Sequence, residues 1–600
     1  MNTKNKVSTF TLFKSIFQFL DKEDRYFAII GMIFASLSSA ATIIGTYFTG
    51  KAITHFFLPT IGNPDSFDFN AFIIYSVEIG ILFLLYAVFG FLQNKIFVNL
   101  SFKTAMRMRK ISMEKLLKIP ISYFDKQKTG DIISTLVNDI NNFSNSVSML
   151  MTQFFSGLTS IILTLIMMTF QSVVLMIVIV LLAILLFSVT IFMLKQARPA
   201  LINLQNEFGN LNAYVEEMLT NAKVTQVLDR QESAQVKFNS IAHNIYSHAL
   251  KGDFWQKIFD PWFIFSSNVI VLVTIVLGLV FKTNNWNVYG IDYTKVDYGM
   301  MVALISLIFG LTGNIQTILT GLFQVQLGVA SATRVLKLTN LNVPVEQTVE
   351  IDINKIQGLI EFNNVSFKYN PDSAKYQIKN ASFYAKPGQT IAIVGPTGAG
   401  KTTIINLLSK FYEYQEGQIK IDNIDLKTIS KHDLRDIMAV VLQDSFLFND
   451  TIFNNLKIAK PDATLEEVRH IAKMVSVDDI IMRMKDGYNT IVDNSDTSLS
   501  QGEKQLLAIA RAILGNKKIL VLDEATSNVD SNTEQIIQNT LQNVVMKNKT
   551  SIVIAHRLST IKNADLILVV NDGKIIEKGN HRELMADKGY YWNLYTSQFN

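Results

Sequence analysis

Apolar and polar positions along this chain fall into two unlike halves. Residues Ile140 to Leu194 carry no charged side chain, a run of 55, and Tyr26–Gly50, Pro261–Phe281 and Tyr298–Thr333 are also free of charge. A helix needs about 20 apolar residues to cross a hydrocarbon core. The longest run therefore holds two spans joined by a tight turn near Gln171–Ser172. Phe72–Phe97 is apolar apart from Glu78 and Lys95. The pattern predicts six membrane-spanning helices, over about 27–50, 72–97, 148–170, 173–194, 258–281 and 299–325. Glu78 reads as the single acid inside a span. Phe10, Phe13, Ile16, Phe17 and Leu20 recur at helical spacing and predict an amphipathic elbow over about 10–25.

Past Lys337 the pattern changes. Charges return, and short apolar runs alternate with helical periods. The expected division is a membrane domain over 1–335, a linker over 336–350 and a second domain over 351–600. Thr390–Val394 reads as a buried strand, and the segment from Thr402 as a helix. Ile519–Leu522 reads as a second buried strand, ending in Asp523 and Glu524.

Charge then gives an orientation. Lys4, Lys6, Lys14, Lys22 and Arg25 precede the first span, and Lys103, Arg107, Arg109, Lys110, Lys115, Lys118, Lys126 and Lys128 fill the loop after the second. The other side has little beyond Lys51, Lys282 and Lys295. The positive-inside bias places both termini and the long loops in the cytosol of a bacterial inner membrane. The formal net charge of +5 reflects this bias and gives no argument for nucleic acid. No cleavable signal peptide is expected, because the first apolar run starts late and is long. The chain has no cysteine, which excludes disulfides and thiolate metal sites. That fits a bacterial inner membrane, as would a chain from which cysteine had been removed.

Between the first strand and its helix lies Gly395-Pro-Thr397-Gly398-Ala-Gly400-Lys401-Thr402, a phosphate-binding loop in strand–loop–helix context. Glycines let main-chain N–H groups approach phosphate oxygens, and the helix N-terminus favours negative charge. Lys401 would reach the β- and γ-phosphates of ATP, and the Thr402 hydroxyl would ligate Mg²⁺. Thr397 and Thr403 belong to the same cradle. Asp523 is suited to hold Mg²⁺, and Glu524 to polarise an attacking water.

At this point the chain resembles the ABC transporter family, in its type IV exporter branch. Leu499-Ser500-Gln501-Gly502-Glu503 is similar to the family's signature, usually LSGGQ. Gln443 falls in the Q-loop position, Asp530 in the D-loop and His556 in the switch position. Tyr369 matches the aromatic residue that stacks on adenine. The resemblance implies an α-helical membrane domain of six helices with long cytosolic extensions, followed by an α/β P-loop ATPase domain with a helical subdomain. It implies catalytic roles for Glu524, His556 and Gln443, with Gln443 also near the metal, and ATP contacts from Ser500, Gly502 and Asp530. Segments 117–131 and 216–232 resemble the two intracellular loops whose short coupling helices dock on ATPase domains.

Six spans and one ATPase domain make half a transporter, so a second half is implied. Gln501 stands where the family has glycine and Glu503 where it has glutamine, and Thr490–Ser498 departs from the usual sequence. These departures resemble the glutamate-bearing subunit of heterodimeric exporters, whose partner has a degenerate ATP site. A homodimer with a harmless variant signature is the alternative, as is a nucleotide-gated channel. Gln153, Ser156, Thr159, Asn268, Asn314, Gln316, Gln324 and Gln326 are candidate pore-facing residues, since polar groups at membrane depth face protein or water. Such a lining suits amphiphilic drugs or lipids.

Overall fold

A computed structural model describes residues 21–60, 67–127, 129–344, 348–443, 445–493, 499–523, 535, 540–541, 546, 548–555 and 558–599, without the side chains of 198, 201, 205, 256, 322–327, 558–559 and 598–599. Among the described residues, six helices are long and apolar enough to span a bilayer: Lys22–Thr60, Phe69–Lys118, Thr129–Gln171, Val173–Thr220, Gln231–Thr283 and Tyr298–Gly321. The sixth continues as helix to Thr339. Residues 1–20 lie outside the described residues, and with them most of the expected elbow. From Lys22 the chain is already in the first spanning helix.

The tight turn falls at Ser172. Its extended backbone breaks the helix, and its hydroxyl accepts from the Leu175 N–H to cap the next one. The connection between spans five and six is seated against this turn. The Ser172 hydroxyl donates to the Val288 carbonyl, and the Asp292 N–H donates to the Phe170 carbonyl. Two carboxylates fix the same connection to the first span: Tyr47 donates to Asp292 and Thr54 to Asp297. Spans one and six pack closely there, since a Cβ on Gly50 would lie 2.6 Å from both the Gly299 carbonyl oxygen and Ala303.

Near the other end of spans three and six, Asp139 is buried and paired. Arg334 Nε donates to it at 2.6 Å and Ser331 Oγ at 2.9 Å. A buried carboxylate without such partners would cost several kcal/mol, about 3–5 if one partner of the pair were removed. Spans four and five pair along their length, with Phe187 stacked on Phe263 at 4.7 Å between ring centres.

The chain divides into two compact units, one of 1–117 with 130–341, the other of 118–129 with 342–600. The second unit is built on two sheets. A six-stranded sheet has the order Lys574–Gly579, Leu566–Asn571, Thr390–Val394, Thr550–Ile554, Ile519–Leu522, Met438–Val441, parallel except for the first strand. Its central strands are buried on both faces, which is why they read as continuous apolar runs. An antiparallel sheet runs in the order Ile378–Ala385, Ile360–Phe367, Glu416–Ile421, Ile424–Asp425. Helices Ile452–Lys457, Leu465–Met474, Asp478–Arg483 and Gln501–Leu514 share a separate apolar core.

The short helix Ser122–Lys126 belongs to this second unit, as part of segment 118–129. Ala222–Val227 forms a second short helix, with Val224, Val227 and the following Leu228 exposed.

Candidate nucleotide site

The parallel strands set the site. Register pairs Val441 with Leu522, Leu522 with Val553, and Ile393 with Ile554. The carboxyl ends of four neighbouring strands therefore lie side by side, where ligands bind in open α/β sheets. Gly395 and Asp523 directly follow two of them, and Gln443 comes one residue beyond the end of a third. Asp523 is buried, and its N–H donates to the Val441 carbonyl. Gln443 is exposed at the mouth. Glu524, Asp530 and His556 lie outside the described residues.

The loop after Val394 needs glycine for two separate reasons. Gly395, Gly398 and Gly400 have φ of +151°, +80° and +109°, backbone that other residues rarely adopt. A Cβ on Gly395 would also lie 2.1 Å from the Val570 carbonyl oxygen, and one on Gly400 2.7 Å from that of Gln377. At Gly398 nothing lies within 4 Å, and Thr397 beside it is exposed. The loop is thus pinned against the sheet on one side and open on the other. Helix Lys401–Leu408 follows at once, with the unpaired N–H groups of its first turn at the loop. Lys401 folds back over the loop, its Nζ donating to the carbonyls of Gly395 at 2.8 Å and Pro396 at 3.1 Å. An ammonium folded over a phosphate-binding loop in this way can exchange carbonyl partners for phosphate oxygens, with which its hydrogen bonds are charge-assisted. The Thr402 side chain is exposed and Thr403 is buried.

Tyr369 is tied to that helix. Asn406 donates to its hydroxyl at 3.1 Å, and the hydroxyl and Thr403 Oγ1 are 3.3 Å apart. The ring is 38% exposed, enough to offer surface to a planar ligand, and meets Phe367 and Tyr412 edge-on, each at 4.8 Å. Tyr412 in turn donates its hydroxyl to Asp125 of the Ser122–Lys126 helix. Partial burial and the neighbouring Asp125 carboxylate push the Tyr412 phenol far up, so it stays a donor. Sequence reasoning did not find this Tyr369–Tyr412–Asp125 relay. The only available signal was Tyr412 close behind the phosphate-loop helix.

The signature segment forms the start of helix Gln501–Leu514. Ser500 caps it, and Glu503 closes a capping box, its carboxylate accepting from the Ser500 N–H at 2.7 Å while the Glu503 N–H donates to the Ser500 hydroxyl at 3.3 Å. Glu503, read from sequence as a departure, thus has a local structural role. Gly502 is buried and Gln501 exposed; of the divergent segment before it, 494–498 lie outside the described residues.

In the membrane unit, Asn314 Nδ2 donates to Ser160 Oγ at 2.8 Å, and Gln316 Nε2 to Asp260 Oδ1 at 3.0 Å. Gln153, Ser156 and Thr159 are half-buried and Asn268 is exposed. The side chains of Gln324 and Gln326 lie outside those described. Asp260 corrects one expectation. It sits inside the fifth spanning helix, so Glu78 is not the single acid there. It already lies within the expected span of about 258–281, and was passed over because the charge-free run begins only at Pro261.

Comparison with known proteins gives the same picture. Residues 28–320 match the family described as ABC transporter transmembrane region, and residues 378–527 the family described as ABC transporter. The chain is 38% identical over 534 residues to a provisionally named ABC transporter ATP-binding protein of Mycoplasma genitalium, covering 88% of this chain and 90% of that one. It is 36% identical over 495 residues to a fatty acid ABC transporter ATP-binding/permease protein of Mycobacterium bovis (82% and 76% covered). To an ATP-dependent lipid A-core flippase of Vibrio vulnificus it is 31% identical (82% and 83% covered). Its fold resembles that of a bacterial Atm1-family ABC exporter solved with ATP bound, with a TM-score of 0.78 at 24% identity over 97% of this chain and 99% of that one. A phosphate loop at the strand ends of an ATPase sheet, six spanning helices in the same chain, and this kinship make the chain a member of the ABC transporter family, a type IV exporter half-transporter that couples ATP hydrolysis to transport.

Proposed function

We propose that this half-transporter moves amphiphilic drugs or lipids out across the cytoplasmic membrane by alternating access, with its termini and ATPase domain in the cytosol. The loop fixed by Gly395 and Gly400, with Lys401 folded over it, is the observation that carries the ATP-driven part. The basic residues flanking the first two spans support the orientation. The names of the fatty acid transporter and the lipid A-core flippase support an amphiphilic cargo.

In this reading Tyr369 stacks on adenine, and Gly395, Thr397, Gly398, Gly400, Lys401, Thr402 and Thr403 hold the phosphates. Thr402, Gln443 and Asp523 would hold Mg²⁺, which when bound supplies charge neutralisation between the β- and γ-phosphates. Glu524 polarises the water that attacks the γ-phosphate, and His556 steadies the developing charge. Ser500, Gly502 and Asp530 act across the dimer on the ATP held by the other half.

Gln501 favours a distinct partner. Glycine at this place lets main-chain N–H groups crowd a γ-phosphate, and glutamine adds bulk there. The chain would bring a complete hydrolytic set to one site and an altered signature to the other, which the partner fills with a degenerate set. The intact Ser500–Glu503 box favours the second reading, a homodimer, because the signature helix keeps its cap. Purification of this chain alone in lipid decides between them. The heterodimer reading expects no substrate-stimulated ATPase without the partner; a homodimer with two equivalent, active sites would overturn it. Transport in proteoliposomes tests the cargo, and failure of every amphiphile to move on ATP addition would overturn the export reading.

A further inference from the structure

Polar groups in the membrane unit are few, and most are satisfied within their own helix. Thr274, Thr312, Thr317 and Asn268 all bond to main-chain carbonyls three or four residues back. The Asp260–Gln316 pair is different. It joins spans five and six, it includes a carboxylate, and Asp260 is exposed. Gln316 neutralises no charge. Lys257 stands one turn away on the same helix and is exposed, but no ion pair ties it to Asp260 among the described residues. Span four, which packs on span five beside this level at Phe187 and Phe263, has no charge from Val173 to Leu194, and span six has none from Tyr298 to Thr333.

The surroundings add acceptors and room. Pro261 supplies no N–H, so the Lys257 carbonyl lacks its usual helical donor. Gly313 lies one turn outward from Gln316, and a Cβ there would meet nothing within 4 Å. Phe309, Gly313, Gln316 and Thr320 fall on one face of span six. Asp260, Ile264 and Asn268 fall on one face of span five. Ile264, Phe265 and Phe309 are exposed apolar surface on the outward side of the carboxylate.

Depth matters as well. Gln316 lies about 27 Å along the helix from Tyr298 at 1.5 Å per residue, near the inner boundary of a hydrocarbon core about 30 Å thick. Trp255 and Trp262 flank Asp260 on its helix, as tryptophans do at an interface.

We infer that Asp260 and Gln316 form the headgroup subsite for the transported molecule, and that this molecule is a cationic amphiphile. Its ammonium or other N–H-bearing head meets the Asp260 carboxylate at headgroup depth, and its tail lies outward along Ile264, Phe265 and Phe309. The inference rests on the export reading above and narrows it, since a fatty acid carboxylate would meet like charge. Acids at membrane depth mark substrate pathways, and charge-assisted hydrogen bonds are about twice as strong as neutral ones.

The test uses the assembled transporter in neutral lipid nanodiscs and three probes with one tail: dodecylammonium, dodecanoate and dodecyl maltoside. ATPase stimulation is titrated with each. The wild type should respond to the cation at the lowest concentration. Asp260→Asn should raise the half-maximal concentration for the cation about tenfold or more, and leave the maltoside curve within about twofold. Asp260→Glu, which keeps the charge, should restore most of the response, which separates charge from misfolding. Equal cation curves in wild type and Asp260→Asn would overturn the inference, as would stimulation by dodecanoate alone. A wild type that answers none of the three would overturn this inference, whereas the export reading falls only if no amphiphile moves in the transport assay.

Discussion

The nucleotide site and the Asp260–Gln316 pair solve the problem of holding a charged ligand in opposite ways. At the phosphate loop the work is done by main chain. Positive φ at Gly395, Gly398 and Gly400 and the adjoining helix N-terminus create a fixed anion cradle, and side chains finish it. In the membrane unit the helices satisfy most main-chain groups within themselves, so recognition of a cation falls chiefly to a side-chain carboxylate. A main-chain site is hard to alter without destroying it; a side-chain site can be retuned by one substitution.

Substitutions at five positions sharpen that contrast, in order of expected effect. Glu524→Gln keeps size but removes the charge that polarises water, so turnover should fall about a thousandfold or more while ATP still binds. Rapid-quench measurement of phosphate release checks this, and turnover within about threefold of wild type would remove Glu524 from its role. Gly395→Val removes no ligand-touching side chain, yet its Cβ would meet the Val570 carbonyl. Binding of a fluorescent ATP analogue should be lost, by about a hundredfold or more. Near-normal binding would mean that the cradle is not main-chain built.

Tyr369→Ala should weaken ATP affinity about tenfold, since base stacking is worth about 1–3 kcal/mol, while the maximal rate changes less. An unchanged KM for ATP with a reduced kcat would argue against adenine stacking. The smallest effects belong to the signature helix. Glu503→Ala opens the capping box and should lower stability by about 1 kcal/mol, read as a lower melting temperature, whereas Glu503→Gln should lose little. In the heterodimer reading Gln501→Gly should change hydrolysis by less than about twofold, because the partner's own acid limits that site. A large gain would point to the homodimer.

Much of the architecture was legible in the primary structure, for physical reasons. Charge-free runs longer than about 20 residues leave a membrane helix as the main option, and the turn at Gln171–Ser172 follows from fitting two spans into 55 residues. The Thr390–Val394 strand reads directly because a strand buried on both faces is apolar throughout. Contacts between helices were not legible. Gln316 was a candidate from its polarity, but its partner Asp260 lies 56 residues away, and only packing brings them together. The Tyr412–Asp125 bond spans 287 residues and is hidden for the same reason. The local role of Glu503 was not legible because a family pattern weighs identity, whereas a capping box accepts glutamate and glutamine alike.

Helix length has a mechanical consequence. The Gln231–Thr283 helix has 53 residues, about 80 Å of continuous rod, and a bilayer core takes up only about 30 Å of it. More than half of the rod is therefore a lever arm. Tilting it by about 10° about its membrane segment carries the far end through about 10 Å, while the walls of the membrane segment shift by only a few. Pro261, where the arm leaves the apolar stretch, is a natural point of compliance. The gearing between large, water-borne strokes and small openings in the bilayer is written in helix length, a property that single substitutions seldom change.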